Sequence, residues 1–312
     1  MKLAFLILAH RNPQQVARLC GALTSSESQI YIHLDRKCDA ASFAEEIQTA
    51  RLTEDVKFVD SRTPVNWGGY SMIQATLASI RQLLEETSST PPDYVFLLSG
   101  QDYPIKSNSE IQAFMSANAG TEFISFAQMP APFWSEKEMR RIREYQFFDY
   151  PWLLGAAYEA GTIARRKTLR FYTVTRLAKY LLPQRKFPAG LTPYSGSQWW
   201  ALSRGCLEYV LDFLDRRPDV VKFFRWAGFP DEMVFQTVIL NSDFASKASH
   251  EITNPVLSAP LCHLEWGHLD RPRTLTIDDW EALQASDKLF GRKFDMHEDA
   301  KILDLVDARR AE

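Results

Sequence analysis

The chain has 312 residues, 46% of them hydrophobic, which is enough to bury one large core or two small ones. A formal net charge of −3 argues against generic binding of nucleic acid, and no apolar run reaches the roughly 18 residues that a membrane-spanning helix needs. The four cysteines, Cys20, Cys38, Cys206 and Cys262, lie scattered without metal-site spacing and are read as reduced thiols.

Residues 3–9 are apolar and end in His10-Arg11-Asn12-Pro13. The run is short and no small-residue cleavage site follows it, so it is read as a first buried strand rather than a signal peptide. Asn12-Pro13 opens a helix running to about Leu23, and residues 29–34 form a second strand that ends at Asp35. Residues 56–59 are a third, short strand. Residues 71–86 carry apolar side chains at Ile73, Leu77, Ile80 and Leu84, the spacing of a helix with one buried face. Residues 94–98 are another strand, which stops abruptly at Ser99-Gly100-Gln101-Asp102. Such alternation predicts a parallel sheet with right-handed crossovers, and a polar loop at the carboxyl end of a strand is where open α/β sheets bind ligands.

The second half is less regular. Ser135-Glu136-Lys137-Glu138 reads as a capping box opening a basic helix through Arg140, Arg141 and Arg143. Residues 160–190 are basic and read either as an excursion on the acceptor side or, equally well, as a solvated helical face and loop. Residues 194–202 are predicted as a strand, 205–215 as a helix, and 231–240 as a helix introduced by Pro230. No repeat or linker is visible. The expectation is one domain over residues 1–312, with a donor-binding half over about 1–115 and an acceptor- and diphosphate-binding half over about 116–312.

Several residues could carry chemistry. Asp231 and Glu232 follow Pro230 at a helix start, where by residue type alone they read as caps. Arg292 and Lys293 are adjacent cations between Phe290 and Phe294, suited to phosphate oxygens yet equally ordinary on a surface. Where many nucleotide-sugar enzymes have an Asp-x-Asp pair for a metal, this chain has the single carboxylate of Asp102. The six histidines show no zinc spacing, and His33 reads as structural.

Five strings in order, over roughly residues 3–295, carry a resemblance: Tyr31-Ile32-His33-Leu34-Asp35-Arg36-Lys37, Val65-Asn66-Trp67-Gly68-Gly69-Tyr70-Ser71, Ser99-Gly100-Gln101-Asp102, Ser195-Gly196-Ser197-Gln198-Trp199-Trp200, and Leu289-Phe290-Gly291-Arg292-Lys293-Phe294-Asp295. They resemble the core-2/I-branching glycosyltransferase family, which includes β-1,6-N-acetylglucosaminyltransferases and peptide O-xylosyltransferases. The resemblance implies an α/β, GT-A-like nucleotide-sugar-binding fold with a central, mostly parallel sheet flanked by helices. It also implies an inverting, metal-independent transfer of xylose or N-acetylglucosamine from a UDP-sugar to a hydroxyl of a glycan, peptide or cell-surface polymer.

Residue by residue, the resemblance makes Glu232 the catalytic base or an acceptor ligand and gives Arg292 and Lys293 to the diphosphate, with Arg271 or Arg273 as additional contacts. Leu8, Asp35, Val65, Asn66 and Trp67 line the nucleotide-sugar site, joined on the donor side by Asp102, Gln198 and Trp199. Arg143 and Trp200 are expected on the acceptor side. No metal and no cofactor are expected. One departure is instructive: the peptide xylosyltransferases have an aspartate, proposed as base, where this chain has Gln198, and an amide cannot take that proton. The Trp-Gly-Gly and Arg-Lys strings nevertheless look nearer to the xylosyltransferase branch. Residues 120–190 match poorly, so the acceptor is not legible. A cytoplasmic location is expected, with peripheral contact at the inner face of a membrane left open. The rival readings are a non-catalytic nucleotide- or carbohydrate-binding protein and a glycoside hydrolase using Asp102 and Glu232.

Overall fold

The computed structural model describes residues 1–133, 136–150, 181–253, 259–267 and 272–311. Its first part is the predicted alternation: β1 (Leu3–Ala9), α1 (Pro13–Leu23), β2 (Ser28–Leu34), α2 (Ala40–Thr49), β3 (Val56–Phe58), α3 (Ser71–Glu86) and β4 (Tyr94–Ser99). Every residue of β1 is buried, as in a central strand covered on both faces, and this is why it reads as an unbroken apolar run. β3, β2, β1 and β4 lie side by side and pair in parallel, with Leu8 opposite both His33 and Ser99. Their carboxyl ends therefore open on one edge.

The remaining elements are β5 (Asp102–Pro104), α4 (Asn108–Ala117), β6 (Glu122–Gln128), α5 (Glu136–Arg143), β7 (Tyr194–Ser195), β8 (Ala201–Ser203), α6 (Arg204–Arg216), α7 (Pro218–Phe224), α8 (Val234–Leu240), β9 (Ala248–Glu251), β10 (Cys262–Leu264), α9 (Trp280–Ala285), β11 (Phe290–Arg292) and α10 (Lys301–Arg310). β8, β6 and β7 extend the main sheet beyond β4 with antiparallel pairing, and β9 runs parallel to β6. The result is a central, mostly parallel sheet flanked by helices. One face buries α1 and α2 with Phe96, Phe290 and Phe294, and the other buries α3, α6 and α8 with Leu97 and Trp200. A second, smaller sheet orders β10, β11 and β5 and brings residues near 290 onto the end of β4.

Two predicted elements are corrected. The strand expected over residues 194–202 is divided into β7 and β8. Between them Gly196 N donates to Glu232 O at 2.8 Å and Ser197 N to Ser125 Oγ at 2.8 Å, which takes the backbone out of the ladder until Leu97 N reaches Trp200 O at 2.9 Å. The helix expected over residues 231–240 begins as a 3-10 turn, Pro230–Glu232, closed by Met233 N on Pro230 O, and the α-helix starts only at Val234. Ser135 of the capping box and residues 160–180 of the basic excursion lie outside the described residues. Among the described residues no helix is long and apolar enough to cross a membrane, and all four cysteines are unpaired.

Gly196 leaves the ladder where a side chain has no room, because a Cβ there would lie 1.9 Å from Ser125 O. Backbone cannot give way as a side-chain tip can. Gly196→Ala is expected to destabilise the fold by about 3 kcal/mol, read as a lower urea midpoint at unchanged slope.

Candidate active site

The carboxyl ends of β1, β2 and β4 gather a set of charges. Asp35, just past β2, is held by its backbone N on Ala9 O at 2.9 Å, and its carboxylate accepts from Lys37 N at 2.8 Å. The Lys37 ammonium bridges this carboxylate at 3.7 Å and donates to Val65 O at 2.5 Å, so the second strand end is tied to the loop that carries Asn66 and Trp67. His10 continues β1 into the same opening. Its imidazole is held below the ordinary histidine range, first by desolvation and then by the cations Arg11, Lys37 and Lys293, against the opposing pull of Asp35. The backbone of Lys293 lies near the same edge, between Arg292 of β11 and Phe294, whose N donates to Gln101 O at 2.9 Å. His33 is buried below, its Nε2 accepting from Thr63 N at 3.1 Å, which is a structural role.

Arg292 reaches the same edge from β11. Its Nη1 donates to Asp102 Oδ1 at 2.6 Å and to Ser99 Oγ at 3.1 Å, while Asp102 Oδ2 accepts from Ser99 N at 2.5 Å. The guanidinium stacks 4.1 Å from the centroid of Trp199. Asp102 is 2% exposed and Arg292 7%, so the carboxylate at the end of β4 is spent on an internal cation. Lys293, the next residue, is the one that follows it out of the sheet.

The loop after β3 meets the segment ahead of α8. Gly68 has φ +77°, a left-handed conformation that glycine adopts without strain, and its carbonyl accepts from Phe229 N at 2.9 Å. Phe229 is itself left-handed, at φ 52°, immediately before Pro230. Its ring packs edge-on against Trp67, 4.7 Å between centroids, and against Phe148 at 5.4 Å, with the Arg141 guanidinium 4.8 Å from its centre. Arg141 then donates to Glu232 Oε2 at 2.5 Å. Glu232 is therefore a carboxylate fixed on a cation, three residues from the left-handed Phe229, whose ring packs on the 47% exposed Trp67.

The expected site residues separate accordingly. Leu8, Asp35, Val65, Asn66, Asp102, Trp199, Arg292 and Lys293 gather on the strand-end edge, and Trp67, in the loop tied to that edge at Val65, packs on Phe229, three residues before Glu232. Trp200 is corrected as an acceptor residue: it is 3% exposed and packed 5.0 Å from Phe235, with no ring face for a sugar. Arg143 is on the outside of α5, bridged to Glu136 at 3.3 Å, and its neighbour Arg141 is the one that meets Glu232. Arg273 is clasped by both oxygens of Asp279, and its backbone O accepts from Lys293 N at 3.3 Å, so its guanidinium is engaged away from the diphosphate role expected of it. The Gln198 amide nitrogen is buried without a partner among the described residues. Arg271 lies outside the described residues. Sequence reasoning missed Lys37, Arg141 as the partner of Glu232, and Asp149. Helical phase separates Arg141 from Arg143 in principle, but Asp149 sits in irregular chain and gives no such signal.

A family model described as Core-2/I-Branching enzyme matches residues 3–287. Among curated proteins the chain is similar to xylosyltransferase 2 of Rattus norvegicus, 25% identical over 98% of this chain and 33% of that protein. It is likewise similar to xylosyltransferase 1 of Homo sapiens, 27% identical over 78% of this chain and 22% of that protein. The chain thus spans at most about a third of the length of these relatives. Among solved structures it is similar to mouse xyloside xylosyltransferase 1, apo form, with 12% identity and a TM-score of 0.35 over 93% of this chain and 97% of that one.

Adjacent carboxylates at Asp231 and Glu232 cannot share one ionisation behaviour. Burial, and then the charge of Glu232, push the Asp231 carboxyl up to about 7, and its Oδ1 has no partner among the described residues. Glu232 is also raised by burial, but it keeps 22% side-chain exposure and has Arg141 opposing the shift, so it is the member that holds the negative charge. A raised carboxyl binds a proton in the folded state that an ordinary carboxyl in the unfolded chain releases near pH 4. The contribution of Asp231 to stability is then complete below about pH 4 and lost as pH rises through about 7. Asp231→Asn is expected to flatten the stability profile across that window. Parallel urea-unfolding profiles for parent and variant between pH 4 and 8 would show that Asp231 ionises normally.

Proposed function

Because the chain belongs to the Core-2/I-Branching enzyme family, we propose that it is an inverting glycosyltransferase, one that moves xylose or N-acetylglucosamine from a UDP-sugar to a hydroxyl of a glycan, peptide or cell-surface polymer. The observation that carries this reading is that one loop meets two unlike charges: the Lys37 ammonium, paired with Asp35 at the strand end, bonds Val65 O at its start, and Trp67 packs on Phe229, three residues before a carboxylate held on Arg141. Inversion needs that pair of functions. Glu232 takes the proton of the acceptor hydroxyl while that oxygen forms its bond to the anomeric carbon, and the bond from that carbon to the diphosphate oxygen breaks with its electron pair leaving on UDP. The leaving charge falls to Lys293, with the Lys37 ammonium at the same strand ends, while Arg292, expected beside Lys293, is already paired with Asp102. The names of the relatives favour xylose as the donor sugar.

Metal independence is part of the proposal and rests on donor chemistry. A divalent cation on a diphosphate is held by one or two free carboxylates together with the phosphate oxygens. Here the strand-end carboxylate, Asp102, is paired with Arg292 at 2.6 Å, and among the described residues no group of three His, Cys, Asp or Glu could hold an ion. Gln198, where the xylosyltransferases have an acid, leaves Glu232 as the proton acceptor.

Once a donor screen with UDP-xylose and UDP-N-acetylglucosamine establishes turnover, Glu232→Gln should lower it about 10²–10⁴-fold, with UDP affinity by calorimetry little changed. Full turnover in that variant would remove Glu232 as base. The parent should also transfer in excess EDTA, and activity abolished by chelation and restored by Mn²⁺ or Mg²⁺ would return Asp102 to the centre of the mechanism.

A further inference from the structure

The geometry points to Asp149 as a positioning residue that sets the donor-lining loop in register with the base, an inference that rests on the glycosyltransferase reading above. Asp149 lies beyond α5, in chain remote in sequence from the loop it touches. Its Oδ1 accepts from Ser71 Oγ at 2.5 Å and from Asn66 Nδ2 at 3.3 Å, and its Oδ2 from Ser71 N at 3.0 Å. Ser71 Oγ in turn accepts from Asn66 N at 2.8 Å. The carboxylate thus closes the loop from Asn66 to Ser71 at both ends, with Trp67, Gly68 and Gly69 in between.

The space at Gly69 shows how closely the clasp is built. A Cβ there would lie 2.3 Å from Asp149 Oδ1 and 2.7 Å from its carboxyl carbon, and Gly69 does not have the positive φ that would itself require glycine. Glycine at 69 is therefore explained by the approach of the carboxylate. One residue before Asp149, the ring of Phe148 packs on Phe229, whose backbone N is bonded to Gly68 O. The same short segment thus holds the loop carrying Asn66 and Trp67 and buttresses the turn that presents Glu232. A carboxylate suits this task because it accepts several hydrogen bonds at once. An error of about 1 Å between donor and base would cost on the order of 10²-fold in rate.

The test is a mutant cycle on Asp149→Ala and Gly69→Ala, with Asp149→Asn as a third variant, using kcat per folded molecule at a temperature where each remains folded by circular dichroism. Asp149→Ala should lower kcat about 10²-fold. Gly69→Ala should do the same, because its methyl evicts the carboxylate. The double variant should be no worse than either, since both substitutions break one clasp. Asp149→Asn, which keeps one acceptor oxygen for Ser71, should recover about a tenth to a half of the parent rate, a graded rescue that loss of stability would not produce. Folded Asp149→Ala with parental kcat, or losses that multiply in the double variant, would overturn the assignment. A folded parent that neither binds UDP nor transfers either sugar would instead overturn the functional reading, and the positioning role with it.

Discussion

The ion pair between Arg292 and Asp102 is the joint on which this architecture turns. It links β11 to β5 and, through Ser99, to the end of β4, so a residue almost two hundred positions downstream is fixed onto the sheet edge that the first hundred residues build. Both partners are nearly sealed from water, where an ion pair gains strength from low dielectric but carries a heavy desolvation cost. Removing either partner from such a pair leaves a buried charge uncompensated, so the two are mutually required. The stacking of Arg292 on Trp199 adds a third wall and brings the crossover between β7 and β8 to the same point. Lys293 reaches the strand ends because Arg292 is held there.

Around this joint the site separates unlike tasks. Lys37 carries positive charge at the end of β2, and negative charge sits on Glu232 beside Arg141, with the loop of Trp67 in contact with both segments through Val65 and Phe229. The left-handed backbone of Phe229 is unfavourable by roughly 1–2 kcal/mol for a non-glycine residue. It persists because the Gly68 carbonyl, two neighbouring rings and the Arg141 guanidinium all specify it. Arg141 serves twice, on the ring of Phe229 and on Glu232, and so couples the conformation of the turn to the charge of the carboxylate.

The parts legible in the sequence are those where one period dominates. β1, α1 and α3 appear at their expected positions because an unbroken apolar run and a 3.6-residue stripe each admit one reading. Tyr194 to Leu202 reads as a single strand because its aromatic and apolar content suits one, whereas its real path is decided by Ser125 and Glu232, which are distant in sequence. Trp200 illustrates the same limit: an aromatic residue beside a candidate site looks like a sugar platform until packing assigns it to the core against Phe235. Asp102, Arg292 and Glu232 could be singled out by type and string, but their partners could not. Asp149 carries no periodic or motif signal, since its meaning comes only from the loop it meets.

The docking of α10 gives the fold a particular order of assembly. Arg18 of α1 bonds Asp304 and Asp307, Tyr103 donates to Asp307, and Arg310 reaches Ala22 O and Lys106 O, so the last helix is stitched onto the first. Contacts between such distant segments close only after long loops have been ordered, and they form late in folding. During synthesis the parallel sheet of the first hundred residues can collapse while Asp102 still lacks its guanidinium. In that interval the Asp102 carboxylate keeps its bond from Ser99 N but lacks the guanidinium that neutralises it in the folded protein. The segment near residue 292 brings Arg292 onto Asp102 and Trp199 when it arrives, so this strand-end edge is completed at the end of folding rather than with the scaffold that frames it.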